Sequence, residues 1–230
     1  MNNPLLHSLP MGVFDCDRPT HFISPYTLPP HPLAQQAARE TIDYMHQYMV
    51  SHPQSELLQH GKMFGVLVVR CNDLSYAYLR AFSALLDGSY THDGFVPPIY
   101  MPREMPIGTS KEESQRLQRL LFADFQVTNT IGNSRNLLDI FASEKRILTL
   151  DEWTDKQTTL QDGRIAMPPS GAGECCAPKL LQYAINHQLT PIALAEFFGP
   201  ASFHNGDYTF FYNNIKDNVA KRIAAYQANQ

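Results

Sequence analysis

A chain of 230 residues with 43% apolar and 17% charged positions has the material for one substantial core and lies far from the charged, apolar-poor composition of disordered chains. Its net charge of −4 gives no overall electrostatic footprint for gripping a long nucleic acid, so charge disfavours autonomous RNA binding. The longest apolar run, FGVLVV at 64–69, is strand-sized, which argues against a membrane span. The start of the chain has neither the basic stretch nor the apolar run of a leader, so a cytoplasmic protein is expected.

In chain order, the first thirty residues carry Pro4, Pro10, Pro19, Pro25, Pro29 and Pro30. Each ring removes a donor and biases its predecessor away from helix, which predicts an extended arm over 1–30. HPLAQQAARETIDYMHQYMVSH (31–52) reads as a helix with Pro32 in its first turn and an apolar stripe through Leu33, Ala37, Ile42, Met45 and Met49. GKMFGVLVVRCNDLSYAYLRAFSALLDG (61–88) holds two runs rich in β-branched and aromatic residues around Asn72-Asp73, the pattern of a β-hairpin.

Prolines 97, 98, 102 and 106 then break regular structure, and a partly helical insertion is expected over 100–165. Ser110 with Glu113 forms a capping-box pattern, and helix is predicted as far as about 142. After Gly173, ECCAPKLLQYAINHQ reads as a short buried helix with Pro178 in its first turn. TPIALAEFFGP (190–200) reads as an apolar strand, and Ile215, Val219 and Ile223 mark an amphipathic tail helix. The expectation is one domain over 1–230 of the α/β class, a mixed sheet with helical cover.

PPSGAGECCAPKLLQYAINH (168–187) concentrates the chemistry. The chain's cysteines are Cys16, Cys71, Cys175 and Cys176; adjacent cysteines bond each other only through a strained ring, and the others lack framework spacing, so reduced thiols are expected. Zinc wants a spaced pair of thiolates, because neighbouring side chains on a helix diverge, and no metal is expected. A cysteine at a helix N-terminus meets the positive end of the dipole, which favours a thiolate nucleophile; Lys179 would assist and Glu174 oppose it. Its base would be a histidine such as His60, His92, His187 or His204. The bland alternative is that Cys175 and Cys176 pack a tight turn against the sheet. Glu196, a carboxylate within an apolar run, must find a partner if it faces the core. Candidate catalytic residues are thus Cys175, Cys176, Glu174 and Glu196, and candidate binding residues are Lys62 in GKMFG, Lys179, His187 and His204, with no cofactor expected.

GKMFGVLVV, YLRAFSALLDG, GFVPP, LLDIFA and above all PPSGAGECCAPKLLQYAINHQLTPIALAEFF together resemble the region ahead of the catalytic domain in long RluA-like pseudouridine synthases, over most of residues 30–200. The resemblance implies an accessory domain whose partners are RNA or an RNA-modifying enzyme. The synthase module of that family carries an HRLD-type motif whose aspartate attacks uridine, and this sequence has none, so it is expected not to make pseudouridine itself. The family also implies a C-x-x-x-C pair after the strand matching PIALAEFF, a thiolate metal site together with Cys175. Here Phe211 and Ile215 stand in about those places. The element order is similar to a cytidine-deaminase-like three-layer sandwich, but Glu174 precedes the cysteine and Ala177 stands where a deaminase carries its acid–base carboxylate. The sequence therefore leaves two readings: an RNA- or protein-binding module without synthase activity, or a thiol-dependent hydrolase, transferase or deamidase using Cys175 or Cys176.

Overall fold

The computed structural model describes residues 3–9, 18–20, 22, 30–98, 126–129, 131–136, 175–199, 209–210 and 227. The tail helix, most of the 100–165 insertion, Cys16, Glu174 and His204 lie outside the described residues. The elements in chain order are β1 (His7–Ser8), α1 (Pro32–Ser51), a 3-10 turn (Glu56–Leu58), β2 (Lys62–Arg70), β3 (Tyr76–Phe82), β4 (Gln126–Thr128), β5 (Ser134–Asn136), α2 (Cys176–Asn186), β6 (Thr190–Gly199) and β7 (Thr209–Phe210).

α1 begins as its sequence dictates. Pro32 supplies a preset φ where no intrahelical donor is needed, and the His31 side chain accepts from the Leu33 amide. One stripe, Leu33, Ala34, Ala37, Ala38, Thr41, Ile42, Met45 and Met49, is buried. The Thr41 hydroxyl avoids an orphaned polar group by donating to the Ala37 carbonyl at 2.8 Å. No described helix is long and apolar enough to cross a membrane.

The main sheet has the order β1-β3-β2-β6-β7. The α/β class holds, but the expected mixed sheet is corrected: every described pairing is antiparallel. The chain reverses tightly between β2 and β3, where Cys71 and Ser75 close the turn at 2.8 Å. It reverses again over residues 187–189, between α2 and β6. Both neighbours of the central strand β2 therefore run against it.

Strand alternation sends side chains to two opposite cores. Phe64, Val66, Val68, Tyr78, Phe82, Ala195 and Phe197 pack with α1. Leu67, Val69, Leu79, Ala81 and Leu194 pack with Cys176, Leu180, Leu181 and Ala184 of α2. A register shift at Val68/Val69 leaves Ile192 as the extra residue of β6, and it joins Ala193 on the α1 side, as a bulge allows. Helices thus cover both faces of the sheet.

A second correction concerns residues 126–136, read from the sequence as helical. They form the small β4–β5 hairpin, closed by a Gly132 amide bond to the Asn129 carbonyl with Gly132 at φ +85°. The turn around Asn129 and Gly132, with the Asn129 side chain accepting from the amides of Ile131 and Asn133, outcompetes the helical period upstream of it. The hairpin docks on α2 through the Thr128 amide, which donates to Gln182 Oε1 at 3.1 Å.

Candidate functional site

Cys175 is the N-cap residue of α2, half-buried, with extended backbone and no side-chain bond to the helix amides. A thiol is a poor acceptor for an orphan N–H, so the cap comes from another element. Glu196 of β6 lies directly across the ladder from Gly65 of β2. Its Oε1 accepts from the Ala177 amide at 2.9 Å. The carboxylate in the apolar run is thus spent on the positive end of α2, where negative charge is most welcome. Glu196 is 7% exposed.

Gly65 makes this approach possible. A Cβ built on it would stand 2.5 Å from Cys176 Cβ and 3.3 Å from Leu180 Cδ1. Cys176 is 2% exposed, with its sulfur against the Met63 carbonyl at 3.7 Å. It is sealed between helix and sheet. Lys179, 1% exposed, donates to the Phe82 carbonyl and lies 4.9 Å from the Phe82 ring centroid. Cys175, Cys176, Lys179 and Glu196 therefore converge on one place, the first turn of α2 over β2 and β3.

The other candidates do not join them. Lys62, at the start of β2, pairs with Glu56 at 3.0 Å. His187 is the C-cap of α2, stacked on Tyr183 at 3.8 Å, with Nδ1 2.8 Å from the Tyr183 carbonyl. At 1.5 Å of rise per residue the helix holds it roughly 16 Å from Cys176. His92 packs against Phe82 and Tyr48 and donates from Nε2 to the Leu86 carbonyl at 2.7 Å. Phe82 and Leu86 belong to the α1-side core, and Lys179 reaches the Phe82 ring from α2. Among the described residues no group of three or more His, Cys, Asp or Glu side chains is placed to hold a metal.

A cleft of about 770 Å³ lies elsewhere, at the C-terminal end of α1 among Tyr48, His52, Ser55, Glu56, His60 and Asp87. Its acids are already engaged. Asp87 accepts from the Glu56 amide at 2.7 Å, Tyr48 Oη at 2.8 Å and Ser55 Oγ at 3.0 Å. Burial alone would raise its pKa, but these donors hold it below the ordinary carboxylate value. Burial and then the Asp87 bond raise the Tyr48 phenol in turn. No sequence pattern announces this knot, because it depends on Asp87 adopting φ +48° in the loop after β3. A smaller cavity of about 240 Å³ separates α2 from β4 and includes Lys179 and Gln182 in its wall.

Chemically, the first turn of α2 offers one half-exposed thiol, one sealed thiol, and a carboxylate and an ammonium already bound to backbone. Of the candidate bases, His187 stands at the far end of α2 and His60 lines the cleft at the end of α1. No family model matches the chain, and neither a curated protein nor a solved structure is found to be similar to it.

Proposed function

We propose that this chain is a binding module related to the accessory region of RluA-like pseudouridine synthases, without synthase activity of its own and with a protein as its partner. The observation that carries the reading is the capping of α2 by Glu196 over Gly65, with Cys176 packed beneath. Of the groups that the sequence offers as catalysts, Glu196 and Cys176 are engaged in holding helix to sheet. A net charge of −4 favours a protein partner over RNA, whose backbone demands clustered cations. Helices on both faces of the sheet are also compatible with a cytidine-deaminase-like arrangement, which belongs to the same proposal. Pure protein incubated with ribosomal or transfer RNA is expected to form no pseudouridine and to show no salt-dependent RNA binding. Product formed without another enzyme would overturn the reading, and salt-sensitive RNA binding would replace the protein partner by RNA.

The thiol-enzyme alternative is favoured by one observation, the half-exposed Cys175 at a helix start without a side-chain cap. Alkylation with iodoacetamide separates the two. Cys175 and half-buried Cys71 are expected to react slowly, at rates that climb toward alkaline pH, while Cys176 reacts only after unfolding. A Cys175 rate that levels off well below pH of about 8.5 would mark a prepared nucleophile.

A further inference from the structure

Residues 3–9 cross the outer edge of β3 and touch both cores. Leu9 is buried on the α1 side, Leu5 and Leu6 pack on the α2 side, and Asn3 Oδ1 accepts from Tyr183 Oη of α2 at 2.8 Å. The ladder that holds them is short: His7 pairs with Tyr78 and Ser8 with Ala77. Sequence continues from Pro10 to Pro30 with five prolines, Pro10, Pro19, Pro25, Pro29 and Pro30, residues that cannot donate to a ladder.

His7 is the wedge in this contact. Its ring lies 5.1 Å from that of Tyr78, and its Nε2 is 2.8 Å from the Gly94 carbonyl. The carbonyl only accepts, so Nε2 carries the proton. Arg80 Nε donates to the same oxygen at 3.1 Å, and its guanidinium lies 3.6 Å from the Tyr44 centroid and 4.5 Å from that of Phe95. Among the described residues no carboxylate pairs with Arg80. A second proton on the imidazole, at Nδ1, would place two cations on one acceptor at a largely buried spot.

We propose that residues 3–9 are an acid-released strap: protonation of His7 beside Arg80 lifts the segment from β3 and uncovers a strand-accepting edge flanked by the apolar seats of Leu5, Leu6 and Leu9. Arg80 and Tyr78 of β3 face the imidazole; behind them Tyr44 of α1 packs on the Arg80 guanidinium and Glu40 of α1 acts on Tyr78, and His92 and Asp93 precede Gly94 in its loop. Burial lowers the His7 pKa most, its bond to Gly94 opposes that, and Arg80 adds to the lowering. A base with a depressed folded pKa contributes stability above its free value and loses it on acidification. The strap is therefore closed at neutral pH and weakens as pH falls below about 6.5. One proton changes the opening constant by at most about tenfold per pH unit. Release parts the two ladder pairs, the Asn3–Tyr183 bond and the three leucine seats at the sheet edge, whereas β2 stays bonded along its length on both sides.

Hydrogen exchange of the intact chain between pH 7.5 and 5.0, corrected for the intrinsic pH dependence of exchange, tests this. Protection of the β1 amides is expected to fall by up to about tenfold per pH unit below about 6.5 while that of β2 holds. His7→Gln keeps a donor for Gly94 but cannot titrate, and its β1 protection is expected to be flat over the same range. Flat protection in the wild type, an unchanged slope in His7→Gln, or parallel loss in β2 would each overturn the strap. If His7→Gln is unprotected at every pH, an NMR titration of wild-type His7 decides. A midpoint that tracks the loss of protection supports release, and one that does not rejects it.

Discussion

Gly65→Ala is expected to destabilise the protein by about 3 kcal/mol, the upper part of the range for overpacking a well-filled core. The strand is central, flanked by Ala81 of β3 and Glu196 of β6. An added methyl group would sit 2.5 Å from Cys176 Cβ. Leu180, the second neighbour at 3.3 Å, ends in a methyl that can rotate away; Cys176 Cβ is fixed to the helix backbone. α2 must lift, and lifting strains the Glu196 cap and the Lys179 bond to Phe82 together. Denaturant unfolding of four proteins checks the mechanism. Cys176→Ala retains the colliding Cβ, so it should fail to rescue Gly65→Ala, whereas Cys176→Gly removes it and should restore part of the loss. A Gly65→Ala protein within about 1 kcal/mol of wild type would mean that α2 does not rest on β2 as closely as this packing requires.

The large elements were legible because each had a strong period or a clear boundary. Pro32 and the Leu33–Met49 stripe define α1, the apolar runs around Asn72-Asp73 define β2 and β3, and Pro178 with Leu180, Leu181 and Ala184 defines α2. The strand at Thr190–Gly199 was equally plain. Strand direction was not, since alternation reports which faces are buried and says nothing of which way a neighbour runs. β1 and β7, of two residues each, are below the length at which periodicity exists.

At the candidate site, the need of Glu196 for a partner was readable, but its identity was not: it depends on the register that sets Glu196 opposite Gly65. Gly65 itself was a missed signal. A glycine inside an apolar strand marks a close backbone approach, and the hairpin reading of 61–88 takes no account of it. The distance of His187 from the cysteines was available in principle from helix length alone. The engagement of Lys62 with Glu56 was not, because it depends on the 3-10 turn that precedes β2.

Glu196→Ala is expected to cost about 2 kcal/mol, because it removes a cap and leaves the Ala177 amide unpaired beneath a buried surface. Glu196→Gln should cost less, roughly 0.5–1 kcal/mol, since a carboxamide oxygen can accept at the same place and only the attraction between negative charge and helix end is lost. This ordering separates a cap from a catalyst. An acid–base carboxylate would tolerate neither change in activity while leaving stability largely alone, and its amide variant would be as inactive as its alanine variant. A cap shows graded losses in stability, and Cys175 alkylation in the folded Glu196→Gln protein should keep the wild-type rate within a factor of about three, because the thiol gains no new base. If both variants unfold at the wild-type denaturant midpoint, and Cys175 reactivity changes by more than tenfold, the carboxylate is acting on the thiol. The chemistry at the start of α2 would then have to be read as catalytic.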